Sequence, residues 1–357
     1  MSEENGFLRG AYRKHFRKSV LVTSAIIILT AVTVIVSISI SQYPVGFTEA
    51  YQILVDHLAG KELVLYSEWL KDQIVWDTNL PRAIGGVAVG ATLGVGGAVM
   101  QSIIKNPLAD PYTTGISSGA MFGVTVCAVL GISFVPIAGG DLAQIINAFV
   151  FSLVPAAVII FVSTFKKTSP TMMVLIGIGV MYIFTASTTL LKFTASPETI
   201  EEIYRWGVGS IGKITWETLP LLLGAMVLII AASMFLSKSI NILSSKDESA
   251  ISLGVNPSKM RLTCLIIVSI ATAVAVCFTG TIGFVGLVSP HIARMTVGSN
   301  VRHLIPCSAA VGGFMLIVAD CIARNAGTTG LPVGVITALI GSPLFLYFLI
   351  RQRKSAW

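Results

Sequence analysis

The sequence is poor in charged residues. Only 11% of its 357 residues are charged, whereas 54% are hydrophobic and the mean hydropathy is +0.84. Soluble domains carry about 25% charged residues, so this composition excludes an ordinary soluble protein and predicts an integral membrane protein. A bundle of about ten spans uses nearly the whole length, which leaves no room for a separate soluble catalytic domain. The net charge of +7 does not indicate nucleic-acid binding, because membrane proteins concentrate Lys and Arg in their cytoplasmic segments.

Residues for redox, metal or nucleotide chemistry are also scarce. The five cysteines are odd in number, dispersed and form no C-x-x-C pair, and the four histidines lie in separate segments. We interpret the cysteines as small packing residues and predict no metal cluster. The segment 207–213 resembles a phosphate-binding loop, but Ile214 occupies the position of the magnesium-binding Ser or Thr. The sequence therefore predicts no nucleotide site in this chain, and it lacks the residue clusters of a membrane-embedded enzyme.

Ionisable residues are rare within the predicted spans. Asp320 and Arg324 lie one helical turn apart near the outer end of the ninth span, which predicts a local ion pair. A proton- or sodium-coupled transporter would need further buried acids or unwound helices at mid-depth, and the sequence offers few. A secondary transporter or channel that works alone is therefore disfavoured, and we keep it as the alternative function. Neighbouring genes for an ATPase and a binding protein would instead indicate a transporter that works with partner subunits.

Hydropathy predicts ten spans in one transmembrane domain, residues 19–350, between a basic tail (1–18) and a short C-terminal tail (351–357). Most of the Lys and Arg residues fall in the segments that are inside when the N-terminus is inside, and few of the acids do. This asymmetry predicts that both termini are cytoplasmic. The predicted spans are 19–41, 80–104, 112–137, 142–165, 170–191, 218–236, 262–278, 282–297, 304–322 and 331–350.

The stretch from Lys105 to Tyr112 interrupts two apolar runs. Pro107 and Pro111 prevent a continuous helix, because proline lacks an N–H and restricts the preceding residue. Such a turn must lie at a membrane surface or line a cavity, since bare backbone is not tolerated in lipid. The glycines on either side recur every four residues and predict close helix packing, without identifying a function. They are Gly86, Gly90 and Gly94 before the turn, and Gly115, Gly119 and Gly123 after it.

Three longer connections remain. The outer segment 43–78 is interpreted as a solvated loop with interfacial aromatic residues, and a second outer loop covers about 193–217. The inner segment 237–261 contains a predicted short amphipathic helix. Asp247 and Glu248 form its acidic first turn and Gly254 ends it. Its apolar residues Ala250, Ile251 and Leu253 would either dock a partner or lie along the lipid interface.

Several motifs together resemble the permease subunits of ABC importers for iron-siderophores, haem and cobalamin. They occur in family order and cover about three quarters of the chain. The matching stretches are Leu80-Pro81-Arg82, Gln101, Asn106-Pro107-Leu108-Ala109-Asp110-Pro111, Gly115-Ile116-Ser117-Ser118-Gly119-Ala120, Leu253-Gly254-Val255-Asn256, Gly283-Phe284-Val285-Gly286-Leu287-Val288-Ser289-Pro290-His291, Leu331-Pro332-Val333-Gly334, Thr337 and Gly341-Ser342-Pro343.

The resemblance implies an all-α integral membrane fold with about ten helices, the permease fold of type II ABC importers. It implies a pair of permease subunits, expected here as a homodimer in a prokaryotic plasma membrane. Two cytoplasmic ATPase subunits and an extracytoplasmic binding protein complete the expected assembly. No cofactor is expected in this chain, because ATP and magnesium bind the ATPase subunits, and no nucleic acid is expected as a partner. The resemblance does not decide the ligand; iron chelates come first by family frequency.

On the inner side, the resemblance implies two gate elements. Asn106 and Leu108 match a turn that helps to close the cytoplasmic end of the pathway, and Thr168 and Ser169 match the second part of that gate. Residues 246–256 match the helix that docks into the ATPase. The expected coupling residues are Asp247, Glu248, Ala250, Leu253 and Gly254.

On the outer side, Arg82 matches an arginine that receives acidic residues of the binding protein, and Arg324 is expected to contribute to the same docking site. Two positions depart from the family pattern. Asn79 stands where many members have another arginine, and Gly330 replaces the glutamate usual before Leu331. The change at Gly330 removes an outer charge, and neither change touches the gate positions or the coupling helix.

Overall fold

A computed structural model describes residues 2–41, 43–61, 65–135, 140–165, 169–327 and 330–351. These residues form helices, turns and connecting segments, and none of them lies in a β-strand. The α-helices are α1 (Ser2–Ile38), α2 (Phe47–Leu58), α3 (Tyr66–Asp72), α4 (Leu80–Ile104), α5 (Ile116–Leu130), α6 (Gly140–Phe165), α7 (Pro170–Lys192), α8 (Pro197–Gly207), α9 (Leu219–Phe235), α10 (Ser237–Leu243), α11 (Asp247–Ser252), α12 (Pro257–Thr279), α13 (Val285–Val297), α14 (Val301–Asn325) and α15 (Val333–Arg351).

Each of the ten predicted spans contains one of these helices, so the all-α membrane fold is confirmed. By length and composition, six described helices are sufficient to cross a membrane, and a seventh is counted if α9 and α10 form one bent span. The bend between α9 and α10 is 63°. The remaining spans are shorter than the hydropathy pattern predicts.

Two spans begin with backbone that is not α-helical. Helix α5 begins only at Ile116, after a single 3-10 turn at Pro111–Thr114, and helix α13 begins at Val285. The reason in the first case is Pro111, which cannot continue a helix from the preceding turn. In the second case, Gly280 and Phe284 both have a φ of 68°, and this left-handed conformation breaks the helical path.

The outer segment 43–78 is largely helical, so its interpretation as a solvated loop is wrong. It contains α2, α3 and a π-helix (Gln73–Asn79) that leads directly into α4. Ala50 and Val75 are fully buried, because the apolar residues of these helices recur on one side and pack towards the bundle. Asp72 accepts a hydrogen bond from His57 at 2.9 Å, and the His57 ring stacks on Trp76. The second outer loop likewise contains helix α8.

Helix α4 is the centre of the bundle, and nearly all of its side chains are buried. Its glycines allow neighbouring backbones to approach closely, as predicted. A Cβ added at Gly90 would lie 2.3 Å from the carbonyl oxygen of Gly312 in α14, and one at Gly97 would lie 1.8 Å from that of Gly286 in α13. The same device joins α5 to α6 at Gly119. The glycine stripes therefore set helix contacts.

Candidate functional site

The turn after α4 has a defined backbone structure. Lys105 ends α4 in the left-handed conformation, with a φ of 57°. The side-chain oxygen of Asn106 then accepts a hydrogen bond from the backbone N–H of Leu108 at 2.9 Å. This Asx turn replaces the helical pattern that Pro107 prevents. Leu108 follows with 46% of its surface exposed, so its side chain is available at the end of the bundle.

Beyond Leu108 the chain folds back alongside α4. A Cβ at Gly96 would lie 2.9 Å from Cγ of Pro111, and Gly96 precedes the end of α4 by roughly 12 Å at the usual helical rise. Asp110 is buried and accepts a hydrogen bond from the N–H of Thr113 at 2.8 Å. The Thr113 hydroxyl donates in turn to the Asp110 carbonyl at 2.7 Å. These hydrogen bonds satisfy the backbone N–H of Thr113 and the carbonyl of Asp110, which lie within the bundle but outside any α-helix.

The returning segment contacts the other non-helical stretch. The hydroxyl of Tyr112 accepts a hydrogen bond from the backbone N–H of Ile282 at 3.3 Å. Residues 105–115 and 280–284 therefore lie in adjacent layers of the bundle. The structure has two unwound segments where the sequence indicated few, and their residues Ala109, Asp110 and Ile282 are buried within the bundle.

Helix α11 lies beside the turn. Ala250 is fully buried in the core cluster that also contains Ile103 and Ile104. In contrast, Ile251 and Leu253 are 65% and 66% exposed. The prediction that the three apolar side chains share one face is therefore wrong. Ala250 and Ile251 diverge because successive helical residues point about 100° apart, and Leu253 lies beyond the last residue of α11 as its C-cap.

The ends of α11 agree with the sequence prediction. Gly254 terminates the helix with a φ of 79°, and the N–H of Val255 donates to the carbonyl of Ala250 at 2.9 Å. Glu248, in the first turn, is exposed. The element thus presents Glu248, Ile251 and Leu253 outward and anchors itself through Ala250.

Asp247 is engaged by two cations from other elements. Its carboxylate accepts from Arg261 Nη2 at 2.7 Å and from Lys105 Nζ at 2.8 Å. The hydrogen bond from Arg261 is the main reason that the pKa of Asp247 is lowered, and Lys105 adds to it. Sequence reasoning missed Lys105 and Arg261 as site residues. Both are basic residues at helix ends, but 142 residues separate Lys105 from Asp247 and no local pattern pairs them.

The second predicted gate element is described only in part. Thr168 lies outside the described residues. Ser169 caps the N-terminus of α7, where its hydroxyl accepts from the N–H of Met172 at 3.2 Å. Ser169 also lines a cavity of about 770 Å³ together with Asp247, Ile251 and Gly254. The structure therefore places Ser169, one residue of the predicted second gate element, at the same cavity as α11.

Arg82 and Arg324, the two arginines predicted for the outer side, share one carboxylate. Asp320 is fully buried, and it accepts from Arg82 Nη2 at 2.6 Å and pairs with Arg324 Nη2 at 3.0 Å. The predicted Asp320–Arg324 ion pair is confirmed, and Arg82 completes a triad. Asn79 accepts a hydrogen bond from Arg324 at 3.3 Å. With Gly330, Asn79 and both arginines line an outer cavity of about 490 Å³.

No metal site is visible in the described part of the chain, where no group of three or more His, Cys, Asp or Glu side chains is arranged to hold an ion. The chemistry of the two described sites is instead one of ion pairs, exposed apolar side chains and backbone turns. Among the described residues, neither site holds an arrangement of nucleophile and base.

Comparison with known proteins is consistent with this arrangement. Residues 29–351 match the model of the FecCD transport family. The chain is 37% identical over 282 residues to the cobalamin import system permease protein of Halobacterium salinarum, covering 79% of this chain and 74% of the relative. It is 33% identical over 283 residues to the hemin transport system permease protein of Yersinia pestis, covering 79% and 84%.

A solved structure extends the comparison to the fold. A metal-chelate type ABC transporter in an inward-facing conformation superimposes with a TM-score of 0.79 at 28% identity, covering 92% of this chain and 99% of the other. The family model and the relatives agree on a transport permease, and none describes a catalytic enzyme. The chain is a multi-pass membrane permease and belongs to the FecCD transport family.

Proposed function

We propose that this chain is the permease subunit of an ATP-driven importer of a metal chelate, such as an iron-siderophore, haem or cobalamin. The names of the relatives support this ligand class. In the proposed assembly, two copies of the chain enclose the pathway in a prokaryotic plasma membrane. Two ATPase subunits bind ATP and magnesium on the cytoplasmic side, and a binding protein delivers the ligand on the other side. The permease itself needs no cofactor.

The observation that carries the proposal is the exposed edge of α11. Ile251 and Leu253 present apolar surface at the end of the bundle, while Ala250 anchors the same helix in the core. An apolar pair displayed on a short, anchored helix fits a groove on a partner protein. The polar residues Glu248, Ser249 and Ser252 on the same helix are also exposed, which favours a protein partner over burial in lipid.

The proposed mechanism is conformational. ATP binding and hydrolysis in the partner subunits move α11, and the inner turns containing Asn106 with Leu108 and Thr168 with Ser169 open or close the pathway. The permease supplies the path and the hinges. The equilibrium shifts only by as much as ATP and the loaded binding protein favour one state over the other.

At the outer end, Arg82 and Arg324 are proposed to receive acidic side chains of the binding protein. The triad with Asp320 contains two cations and one anion, so it has a net positive charge. It borders an open outer cavity, and a carboxylate arriving there would be attracted. Asp320 holds both guanidinium groups in place before docking.

The docking proposal is tested by Ile251→Asp combined with Leu253→Asp. We expect the double variant to reach the membrane in normal amount and to lose co-purification with the ATPase subunits, because charges replace the apolar contact. Ser252→Asp is the matched control, since it adds a charge on the same helix and removes no apolar side chain. Normal ATPase binding by the double variant would contradict the proposal.

The ligand class is tested separately. Mass spectrometry of the ligand that co-purifies with the binding protein identifies the cargo, and uptake of that cargo into proteoliposomes is then measured with and without ATP. We expect uptake to require ATP and both partners. Uptake by the permease alone would instead support the alternative, a secondary transporter or channel.

A further inference from the structure

Asp247 differs from its neighbours in α11 because its carboxylate pairs with basic residues of the same chain. Both of its carboxylate oxygens lie within 2.9 Å of Arg261 Nη2, and one is also 2.8 Å from Lys105 Nζ. Glu248, the next residue, is exposed. The first turn of α11 therefore has one carboxylate that is paired within the chain and one that is exposed.

Arg261 extends this contact into the bundle. Its side chain is only 2% exposed, and its Nε donates to the carbonyl of Ile103 at 3.1 Å. That carbonyl lies in the last turn of α4, where no further helical N–H is available to it. One guanidinium thus joins the start of α12, the end of α4 and the start of α11. Separating these three elements would leave a buried cation without its partners, which is strongly unfavourable.

Lys105 gives a second, independent sign. Helices that end in a left-handed residue usually have glycine there, because a Cβ makes that conformation unfavourable. Here a lysine has the left-handed φ of 57°. A non-glycine residue keeps a left-handed backbone conformation only where the surrounding structure stabilises it. Such residues concentrate at active sites and switch regions. The side chain of Lys105 makes the ion pair with Asp247, and its backbone begins the turn to Leu108.

We propose that Lys105, Asp247 and Arg261 form an ion-pair joint that carries movement of α11 directly to the turn containing Asn106 and Leu108. Asp247 is a positioning residue that acts through Lys105, and it does not contact the ATPase. The inference rests on the proposed function, because it assumes that α11 is moved by a partner. Only Asn106 and Pro107 lie between Lys105 and Leu108, so we expect displacement of the lysine to displace the turn.

The joint is tested with a reporter on the turn. Leu108→Cys is introduced into a chain whose five native cysteines are replaced by alanine, and the permease is reconstituted with its ATPase subunits. The rate of labelling by a water-soluble maleimide is measured with and without magnesium and ATP, alongside ATP hydrolysis. The cysteine-free chain without the reporter gives the background. This readout requires no knowledge of the ligand.

The decisive variant is Lys105→Gly, which removes the ion pair and retains a residue suited to the left-handed backbone. We expect ATP hydrolysis within about twofold of the parent, while the ATP-dependent change in labelling falls at least about fivefold. Lys105→Arg keeps the charge and is expected to preserve the response. Lys238→Gln is the matched control, because it removes another exposed lysine on the same side.

A double substitution tests whether the two residues act as a unit. We expect Lys105→Gly with Asp247→Asn to lose no more of the response than Lys105→Gly alone, because effects within one contact are not additive. Additive losses would overturn the joint.

Three other results also overturn the proposal. A normal ATP-dependent response in Lys105→Gly would show that movement reaches the turn without the joint, through the packing of Ala250. Loss of ATPase binding in Asp247→Asn would show that Asp247 acts at the docking surface. If the parent reporter shows no response to ATP, the gate assignment of Leu108 fails and the joint fails with it. That result is distinct from a failure confined to the lysine variant.

Discussion

At the residue scale, Asp320 is the least exposed of the described acids. It is fully buried, and its charge is balanced by Arg82 and Arg324, which come from two different helices. Burial of a carboxylate is unfavourable unless its partners are well placed. Removal of its charge would leave two largely buried guanidinium groups without their shared counter-ion.

We therefore expect Asp320→Asn to lower the free energy of unfolding by about 3–5 kcal/mol, measured by thermal unfolding of the purified permease in detergent. Glu201→Gln is the control, because the Glu201–Arg205 pair is exposed on α8 and is worth only about 0.3–0.5 kcal/mol. Equal effects of the two substitutions would show that the buried triad does not stabilise the fold.

At the element scale, helix packing depends on glycines whose neighbours are backbone atoms. Gly97 of α4 faces the carbonyl oxygen of Gly286 in α13, where a Cβ would lie at 1.8 Å. The obstacle is backbone, so no side-chain rotation relieves it. The two helices would have to separate, and because α13 also packs against α14, that movement would disturb a second helix contact.

Gly97→Ala is thus expected to lower the free energy of unfolding by about 1–3 kcal/mol and to reduce the folded yield. Gly179→Ala in α7 is the control, since a Cβ there meets nothing within 4 Å. That change is expected to be neutral or stabilising by up to about 1 kcal/mol, because alanine favours a helix over glycine. Thermal unfolding and yield in detergent measure both variants, and a neutral Gly97→Ala would contradict the packing assignment.

Local sequence patterns predicted the breaks between elements but missed two helices. Proline and glycine at 107, 111 and 254 correctly predicted breaks, because their effect on the backbone is local. The outer helices α2 and α3 were missed. Their acids and aromatics suggested a loop, whereas ion pairs between the helices and burial of residues such as Ala50 and Val75 stabilise them.

At the scale of the whole molecule, the topology remains a prediction from the distribution of Lys and Arg. It places α11 in the cytoplasm and α3 outside. Ser67 in α3 and Ser252 in α11 are both exposed, and either position accepts a reporter cysteine. They lie on opposite sides of the membrane if the predicted orientation is correct.

In a cysteine-free background, we expect Ser67→Cys to react with a membrane-impermeant maleimide in intact cells. Ser252→Cys is expected to react only after permeabilisation. The cysteine-free chain is the control for background labelling. Labelling of both positions, or the opposite order, would overturn the orientation and with it the cytoplasmic position of the gate and coupling elements.

The sequence by itself determined the membrane class, the all-α fold, the family resemblance and the break at Lys105–Tyr112. These properties follow from hydropathy, proline chemistry and motif order, which are local along the chain. Only the tertiary structure decided that Asp247 meets Lys105 and Arg261, that Arg82 joins the Asp320–Arg324 pair, and that Ala250 turns away from Ile251. The physical reason is that ion pairing and burial depend on distances between helices remote in sequence, and no local period encodes those distances.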